Sequence, residues 1–128
     1  MIKYLKYIQV IQLHANLIAQ FGGMSGLRDE GSLRSCLEMP KSCFAGQEMF
    51  PNLSHKAAAY LYYIVGNHPF CDGNKRTGSM AALLFLRLNG IPANCLPPAD
   101  AYEEFVVKVA SDHLSKEEIA FYFQSRLN

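Results

Sequence analysis

Apolar residues recur every three or four positions along most of the chain, which is the spacing of amphipathic α-helices. The first pattern predicts a helix over residues 3–21 that ends at Gly22-Gly23. Its apolar face would carry Leu5, Ile8, Ile11, Ala15 and Ile18. The glycine-rich stretch 22–31 predicts a loop, and a short helix around Leu33 has to stop before Pro40.

Four more helical patterns follow. Ser54 could cap the third helix, and Asn74 could cap the fourth, which Asn89-Gly90 would close. The fifth follows Pro97-Pro98, and a capping box of Ser115 and Glu118 opens the sixth. We therefore predict an all-α protein, a compact bundle of about six helices. The segments 43–50 and 91–96 could each hold a short strand or hairpin.

Length and composition change this picture little. The 128 residues fit one domain, 1–128, and half of them are apolar, as in a globular protein. A net charge of +1 gives no general attraction to nucleic acid or to membrane surfaces. The four cysteines form no CxxC pair, so we expect reduced core thiols in a cytoplasmic protein. The start of the chain does not resemble a signal peptide, and no run has transmembrane length.

The polar residues are concentrated in one stretch, GNHPFCDGNKRTGS, at positions 66–79. It joins the end of the third helix to the start of the fourth, where unpaired N–H groups and the helix dipole favour an anion. Lys75 and Arg76 oppose that dipole unless an anion compensates, and Gly73 would let a ligand approach the backbone. The stretch therefore predicts a phosphate site.

Two further residues of the stretch suit phosphate chemistry. Asp72 would repel a phosphate unless a metal lies between them, and Mg²⁺ binds through one or two carboxylates plus substrate phosphates. His68 could act as a general base, since imidazole changes charge near neutral pH.

Each residue also has a purely structural interpretation. His68 could bond a helix-end carbonyl, Asp72-Gly73 could form a turn, and Lys75-Arg76 could be a solvated face. Together, the polar residues and the helix start favour a phosphate site. They do not distinguish an enzyme from a binding module. The other histidines are expected to be structural or solvated: His14, His55 and His113.

The run His68–Arg76 resembles the Fic motif, HPFx[DE]GN[GK]R, and the pattern HxFx[DN][AG]NKRT of death-on-curing (Doc) toxins. The resemblance extends to LHANLIAQFGGMSGLRDEGSLRSCL before the motif and to AALLFLRLNGI after it. It implies the Fic/Doc fold, with the motif between two central helices and a short flap hairpin at residues 43–50 that aligns a target peptide.

The resemblance also implies roles for individual residues. His68 would be the general base that takes the proton from a target hydroxyl, and Asp72 would hold Mg²⁺. The nucleotide phosphates of ATP would contact Gly73, Asn74, Lys75, Arg76 and Thr77.

Two departures from the general Fic pattern match the Doc branch. Lys75 stands where AMP-transferring members have glycine, and Ser79 stands where they have a second arginine. The lysine fills the space of the α-phosphate, which implies a reversed nucleotide and transfer of the γ-phosphate. The implied target is translation elongation factor Tu. The alternatives are protein AMP transfer and a catalytically silent nucleotide- or partner-binding domain.

The resemblance finally implies how the toxin is controlled. Many Fic proteins carry an inhibitory [ST]xxxE[GN] helix, and Glu30-Gly31 is out of register for it. A small antitoxin chain, bound as an amphipathic helix, is therefore the expected inhibitor.

Overall fold

The computed structural model describes residues 1–127. Over that range the chain forms six α-helices and one antiparallel hairpin. They are α1 (Tyr7–Phe21), α2 (Glu30–Glu38), β1 (Cys43–Phe44), β2 (Gln47–Glu48), α3 (Leu53–Asn67), α4 (Asn74–Leu88), α5 (Ala99–Ser111) and α6 (Lys116–Arg126). The predicted all-α bundle and the hairpin within 43–50 are confirmed, whereas 91–96 holds a 3-10 turn, Ala93–Cys95, and no strand. Within residues 1–127, none of the helices has the length and apolar character needed to cross a bilayer.

Helix α3 lies at the centre of the bundle. It packs most extensively on α4 and α6 and also contacts α2 and α5. Its three successive alanines, 57–59, are completely buried and let the neighbouring helices approach closely. Asn52 caps the helix by accepting the N–H of His55 at 3.0 Å, so the prediction that Ser54 is the cap is wrong.

Helix α1 buries a different face from the one predicted. Val10, His14 and Leu17 point into the protein, whereas Ile8 remains 63% exposed. The helix also begins only at Tyr7, since Lys6 before it has an extended backbone and the N–H of Leu5 donates to the Tyr60 hydroxyl at 3.0 Å. His14 can be buried on this face because its imidazole has a hydrogen-bond partner inside the protein, the carbonyl oxygen of Asp72.

A buried lysine joins the hairpin to the bundle. The Lys56 ammonium lies 2.7 Å from Glu48 Oε1 and 3.2 Å from the carbonyl oxygen of Pro40, and its side chain is only 2% exposed. Because Lys56 belongs to α3 and Glu48 to β2, the ion pair fixes the hairpin to the central helix. Phe44, the last residue of β1, is 73% exposed.

Candidate functional site

The loop between α3 and α4, residues 68–73, contains two left-handed residues. His68 ends α3 with φ 49° and ψ 57°, and Gly73 precedes α4 with φ 76° and ψ 20°. A side chain at position 73 would be strained, and its Cβ would lie 3.2 Å from Ile18 Cδ1. The two left-handed residues turn the chain sharply, so the exposed imidazole of His68 and the first turn of α4 belong to the same end of the bundle.

Asn74 braces the loop from inside. Its Oδ1 accepts the N–H of Phe70 at 2.9 Å, and its Nδ2 donates to the carbonyl oxygen of Phe70 at 3.0 Å. Phe70 itself is 2% exposed and anchors the loop in the core. The position that precedes α4 is Gly73, so the prediction that Asn74 caps the helix is wrong. Both ends of the Asn74 amide thus bind the backbone of Phe70, and its backbone N–H lies in the first turn of α4.

The loop that joins α1 to α2, residues 22–29, forms hydrogen bonds with the loop 68–73, called the site loop here. Met24 N–H donates to Asp72 Oδ2 at 3.0 Å, and Cys71 N–H donates to the carbonyl oxygen of Gly26 at 3.1 Å. A Cβ at Gly23 would lie 2.8 Å from Asp72 Oδ2, so glycine allows this close approach. The two loops therefore form one layer that holds Asp72 in place.

The carboxylate of Asp72 is ionised more readily than an ordinary aspartate. The N–H of Met24 lowers its pKa most, and the N–H of Gly73, 2.9 Å from Oδ1, lowers it further. Each oxygen accepts one of these bonds and keeps a lone pair for a cation. Among residues 1–127, three or more histidine, cysteine, aspartate or glutamate side chains nowhere converge as a metal site. A single exposed carboxylate fits Mg²⁺ shared with substrate phosphates.

The first turn of α4 presents backbone N–H groups and two cations. The first N–H bonded within the helix is that of Thr77, to the carbonyl oxygen of Gly73 at 2.9 Å. The N–H groups of Asn74, Lys75 and Arg76 precede it and have no intrahelical acceptor. The side chains of Lys75 and Arg76 are exposed, and the Arg76 guanidinium lies over the ring of Phe21, 4.4 Å from its centroid. This turn has the geometry of an anion site.

Thr77 does not fit the phosphate contact predicted for it. Its side chain is completely buried, and its N–H is already paired within the helix. Within residues 1–127 its hydroxyl has no hydrogen-bond partner. Thr77 therefore packs inside the protein behind the first turn of α4, and its side chain does not face an anion bound there.

One cleft brings the two ends of the motif together. Its volume is about 530 Å³, and both His68 and Lys75 line it. Helix α5 and the turn after it form the opposite wall, with Val109, Ala110, His113 and Leu114. A molecule in this cleft would lie next to both His68 and Lys75. His113, which the sequence suggested to be structural or solvated, therefore belongs to the wall of this cleft.

Several residues around the site carried no clear signal in the sequence. Arg28 and Met24 lie in a glycine-rich loop, and their bonds to the motif span about forty residues or more along the chain. His14 occupies the apolar face of α1, where a single polar residue was the available signal. Phe21 is the last residue of α1, and nothing in its neighbours pointed to Arg76.

The cysteines differ in their environments. All four are free thiols, but only Cys36 is buried. Cys43 and Cys71 are exposed, and Cys95 is partly buried, so the prediction that all four are core residues is wrong. Burial raises the pKa of the Cys36 thiol, which keeps it protonated.

Comparison with known proteins identifies a family and relatives to which this chain is similar. Residues 4–86, which include the whole motif, match the model of the Fic/DOC family. The chain is 37% identical over 100 residues to Toxin Doc of Mycolicibacterium smegmatis, covering 78% of this chain and 77% of that protein. It is 36% identical over 83 residues to Protein kinase doc of Escherichia phage P1, covering 65% of each protein.

Proposed function

The chain belongs to the Fic/Doc family as a Doc-type toxin, and we propose that it transfers the γ-phosphate of ATP to a hydroxyl side chain of a target protein. One observation carries the proposal, namely that His68 and Lys75 line the same cleft. The proposed base and the side chain that distinguishes the Doc branch can then act on one bound nucleotide.

The proposed chemistry begins with proton transfer. The imidazole of His68 accepts the proton of the target hydroxyl as that oxygen attacks the γ-phosphorus of ATP. The new bond joins the hydroxyl oxygen to the γ-phosphorus, and the bond from this phosphorus to the β–γ bridging oxygen breaks, so ADP leaves with the electron pair. His68 is exposed at the end of α3 and is accessible to a protein substrate.

The first turn of α4 would bind the phosphates. The backbone N–H groups of Asn74, Lys75 and Arg76 supply fixed dipoles, and the two side chains supply charge. Gly73 supplies the left-handed backbone with which α4 begins, so that these N–H groups lie next to the site loop. Asp72 would hold Mg²⁺, which neutralises phosphate charge and orients the leaving group when it is bound.

The name of the phage relative, Protein kinase doc, supports phosphate transfer by a protein of this kind. For this chain we propose translation elongation factor Tu as the target and arrest of translation in the cytoplasm as the result. The hairpin of β1 and β2 would align the target segment by strand pairing. A small antitoxin, bound as an amphipathic helix, would inhibit the free toxin.

Labelled nucleotides test the reaction. The protein is incubated with a cell extract and ATP labelled at either the α- or the γ-phosphate, and the labelled protein is identified by mass spectrometry. We expect γ-label only, and a loss of about 10²–10⁴-fold in His68→Ala. His55→Ala is the matched control, because His55 lies on the first turn of α3, away from the motif, and its imidazole bonds the cap residue Asn52. Transfer of the α-label to protein would show that the reaction is AMP transfer and not phosphate transfer.

Expression tests the toxin assignment in cells. The wild-type chain alone should arrest growth, whereas the His68→Ala and Asp72→Asn variants should not. Co-expression of a small protein encoded next to this gene should restore growth and should co-purify with the chain. Normal growth with the wild-type chain alone, without such a partner, would leave a silent Fic-fold domain as the better explanation.

A further inference from the structure

The C-terminal end of α3 is bound by one arginine from the α1–α2 loop. Arg28 Nε donates to the carbonyl oxygen of His68 at 2.6 Å, and Arg28 Nη2 donates to that of Asn67 at 2.8 Å. These carbonyls belong to the end of the helix, where intrahelical donors run out and a cation is favoured by the dipole. The planar guanidinium is suited to this task because it can serve two acceptors with fixed geometry.

The backbone next to this arginine binds the following carbonyl. The N–H groups of Arg28 and Asp29 both donate to the carbonyl oxygen of Pro69, at 2.8 and 3.0 Å. Three successive carbonyls, those of residues 67–69, are therefore held by one two-residue segment. The middle carbonyl belongs to His68, whose φ of 49° lies in a region that side-chain-bearing residues rarely adopt.

From this geometry we infer that Arg28 is a positioning residue for His68. The backbone conformation of His68 sets the direction in which its imidazole leaves the chain, and that direction decides whether the ring reaches a bound hydroxyl. Arg28 binds the carbonyl oxygen on the same residue and so holds this conformation. The inference deepens the proposed function and rests on it, since it assigns Arg28 to the orientation of the proposed base.

The test removes the two donors while retaining an unbranched apolar stem. Arg28→Met is compared with Arg87→Met, since Arg87 Nη1 likewise donates to a backbone carbonyl beyond a helix, that of Ile91 at 3.2 Å, at the far end of α4. For Arg28→Met we expect kcat for phosphate transfer to fall about 10–100-fold with KM for ATP nearly unchanged, because a misplaced base affects the chemical step. Arg87→Met should keep both constants.

The conformation of His68 is read separately by NMR. The ¹³Cα and ¹³Cβ shifts of His68 report its left-handed backbone, and we expect them to change in Arg28→Met and to stay in place in Arg87→Met. Arg28→Lys should give an intermediate loss of kcat, because an ammonium keeps the charge and lacks the rigid fork. If Arg28→Met does not fold, the lysine variant carries the same comparison.

The outcomes separate the inference from the proposed function. Unchanged kcat, or unchanged His68 shifts, in a folded Arg28 variant would overturn the positioning role. An equal loss in Arg87→Met would also overturn it, because the effect would then be general. If the wild-type protein transfers no phosphate, the proposed function fails. The shifts of His68 in the Arg28 variants then still decide whether Arg28 holds its backbone.

Discussion

The imidazole of His14 stacks on the ring of Phe70, with ring centroids 3.8 Å apart and planes within 7° of each other. Its Nε2 lies 2.8 Å from the carbonyl oxygen of Asp72. Because a carbonyl only accepts hydrogen bonds, this nitrogen carries a proton and donates it. Helix α1 therefore supports the site loop at two points, at its core anchor and at the residue proposed to hold Mg²⁺.

Removing the donor of His14 should weaken the fold. The variant His14→Phe retains an aromatic ring for stacking but leaves the carbonyl of Asp72 without its buried partner. We expect the free energy of unfolding to fall by about 1–3 kcal/mol, which is the usual cost of such an unsatisfied group. Urea unfolding measures this change.

The matched control for this prediction is His55→Phe, on the half-buried first turn of α3. Its effect should stay within about 0.5 kcal/mol, as for substitutions away from buried polar contacts. If His14→Phe were as stable as the wild-type protein, the bond from Nε2 to Asp72 would contribute nothing to folding.

The sequence predicted the helices well because their signals are local. Apolar spacing, the glycines after α1 and the capping box at Ser115 each act within a few residues, and the structure contains all three. The buried face of α1 was predicted wrongly because His14 counts as polar in any pattern. Its partners are 56 and 58 residues away, at Phe70 and Asp72.

The candidate site shows the same limit. The motif itself is visible in one stretch of sequence, and His68, Asp72, Lys75 and Arg76 are all exposed around one loop. Asn74 follows the local rule for a helix cap, yet its amide binds Phe70, because the loop folds back over the start of α4. Which side chains a loop turns inward depends on its tertiary contacts, and these leave no periodic signal.

The pH dependence of stability should reveal the bonds to Asp72. Its pKa is lowered in the folded protein from the ordinary value of 3.8, through the N–H groups of Met24 and Gly73. A lowered native pKa means that the unfolded chain binds the proton more readily, so the stabilisation is present above the unfolded value. It is lost as the pH falls below 3.8 through the native value.

Urea unfolding of the wild type and of Asp72→Asn, followed from neutral pH to about pH 2, measures this contribution. The variant should lose less stability than the wild type over the acidic part of the range. Asp112→Asn, another change of an exposed carboxylate, serves as the control. Identical acid profiles for the wild type and Asp72→Asn would show that the two N–H groups do not favour the ionised form.

The ion pair of Lys56 and Glu48 should respond unequally to removal of each partner. Glu48→Ala removes the carboxylate partner of a buried ammonium, which keeps the Pro40 carbonyl and Tyr4 as neighbours, and should cost about 1–3 kcal/mol. Lys56→Met replaces the charge by an apolar side chain of similar length, and should be nearly neutral, within about 1 kcal/mol, since Glu48 is half exposed and can be solvated.

Glu38→Ala is the control for the pair, because Glu38 and Lys41 form an exposed ion pair worth about 0–1 kcal/mol. Hydrogen exchange of the hairpin amides gives a second measurement. The exchange of residues 43–48 should accelerate in both variants of the buried pair and should not change in Glu38→Ala. Equal stability of Glu48→Ala and the control would mean that Lys56 is already solvated.

Lys75 should decide which phosphorus of ATP is attacked by the target hydroxyl. Lys75→Gly removes the side chain from the cleft that His68 also lines, and so reopens space for the α-phosphate. We expect the γ-transfer product to decrease and a small amount of AMP-modified target to form, measured as the mass added to the target protein. The yield should be poor, because Ser79 donates its hydroxyl to the Arg76 carbonyl at 2.9 Å and offers no second cation.

The double variant Lys75→Gly, Ser79→Arg supplies both the space and the missing charge, so it should form more AMP product than Lys75→Gly alone. Lys116→Gly controls for the cost of glycine in a first helical turn, which is about 1 kcal/mol at most, because Lys116 occupies the first turn of α6. The control should transfer phosphate only. If both Lys75 variants still transferred phosphate alone at the wild-type rate, the orientation of the nucleotide would not depend on this side chain. AMP transfer by the wild-type protein itself would contradict the proposed reaction directly.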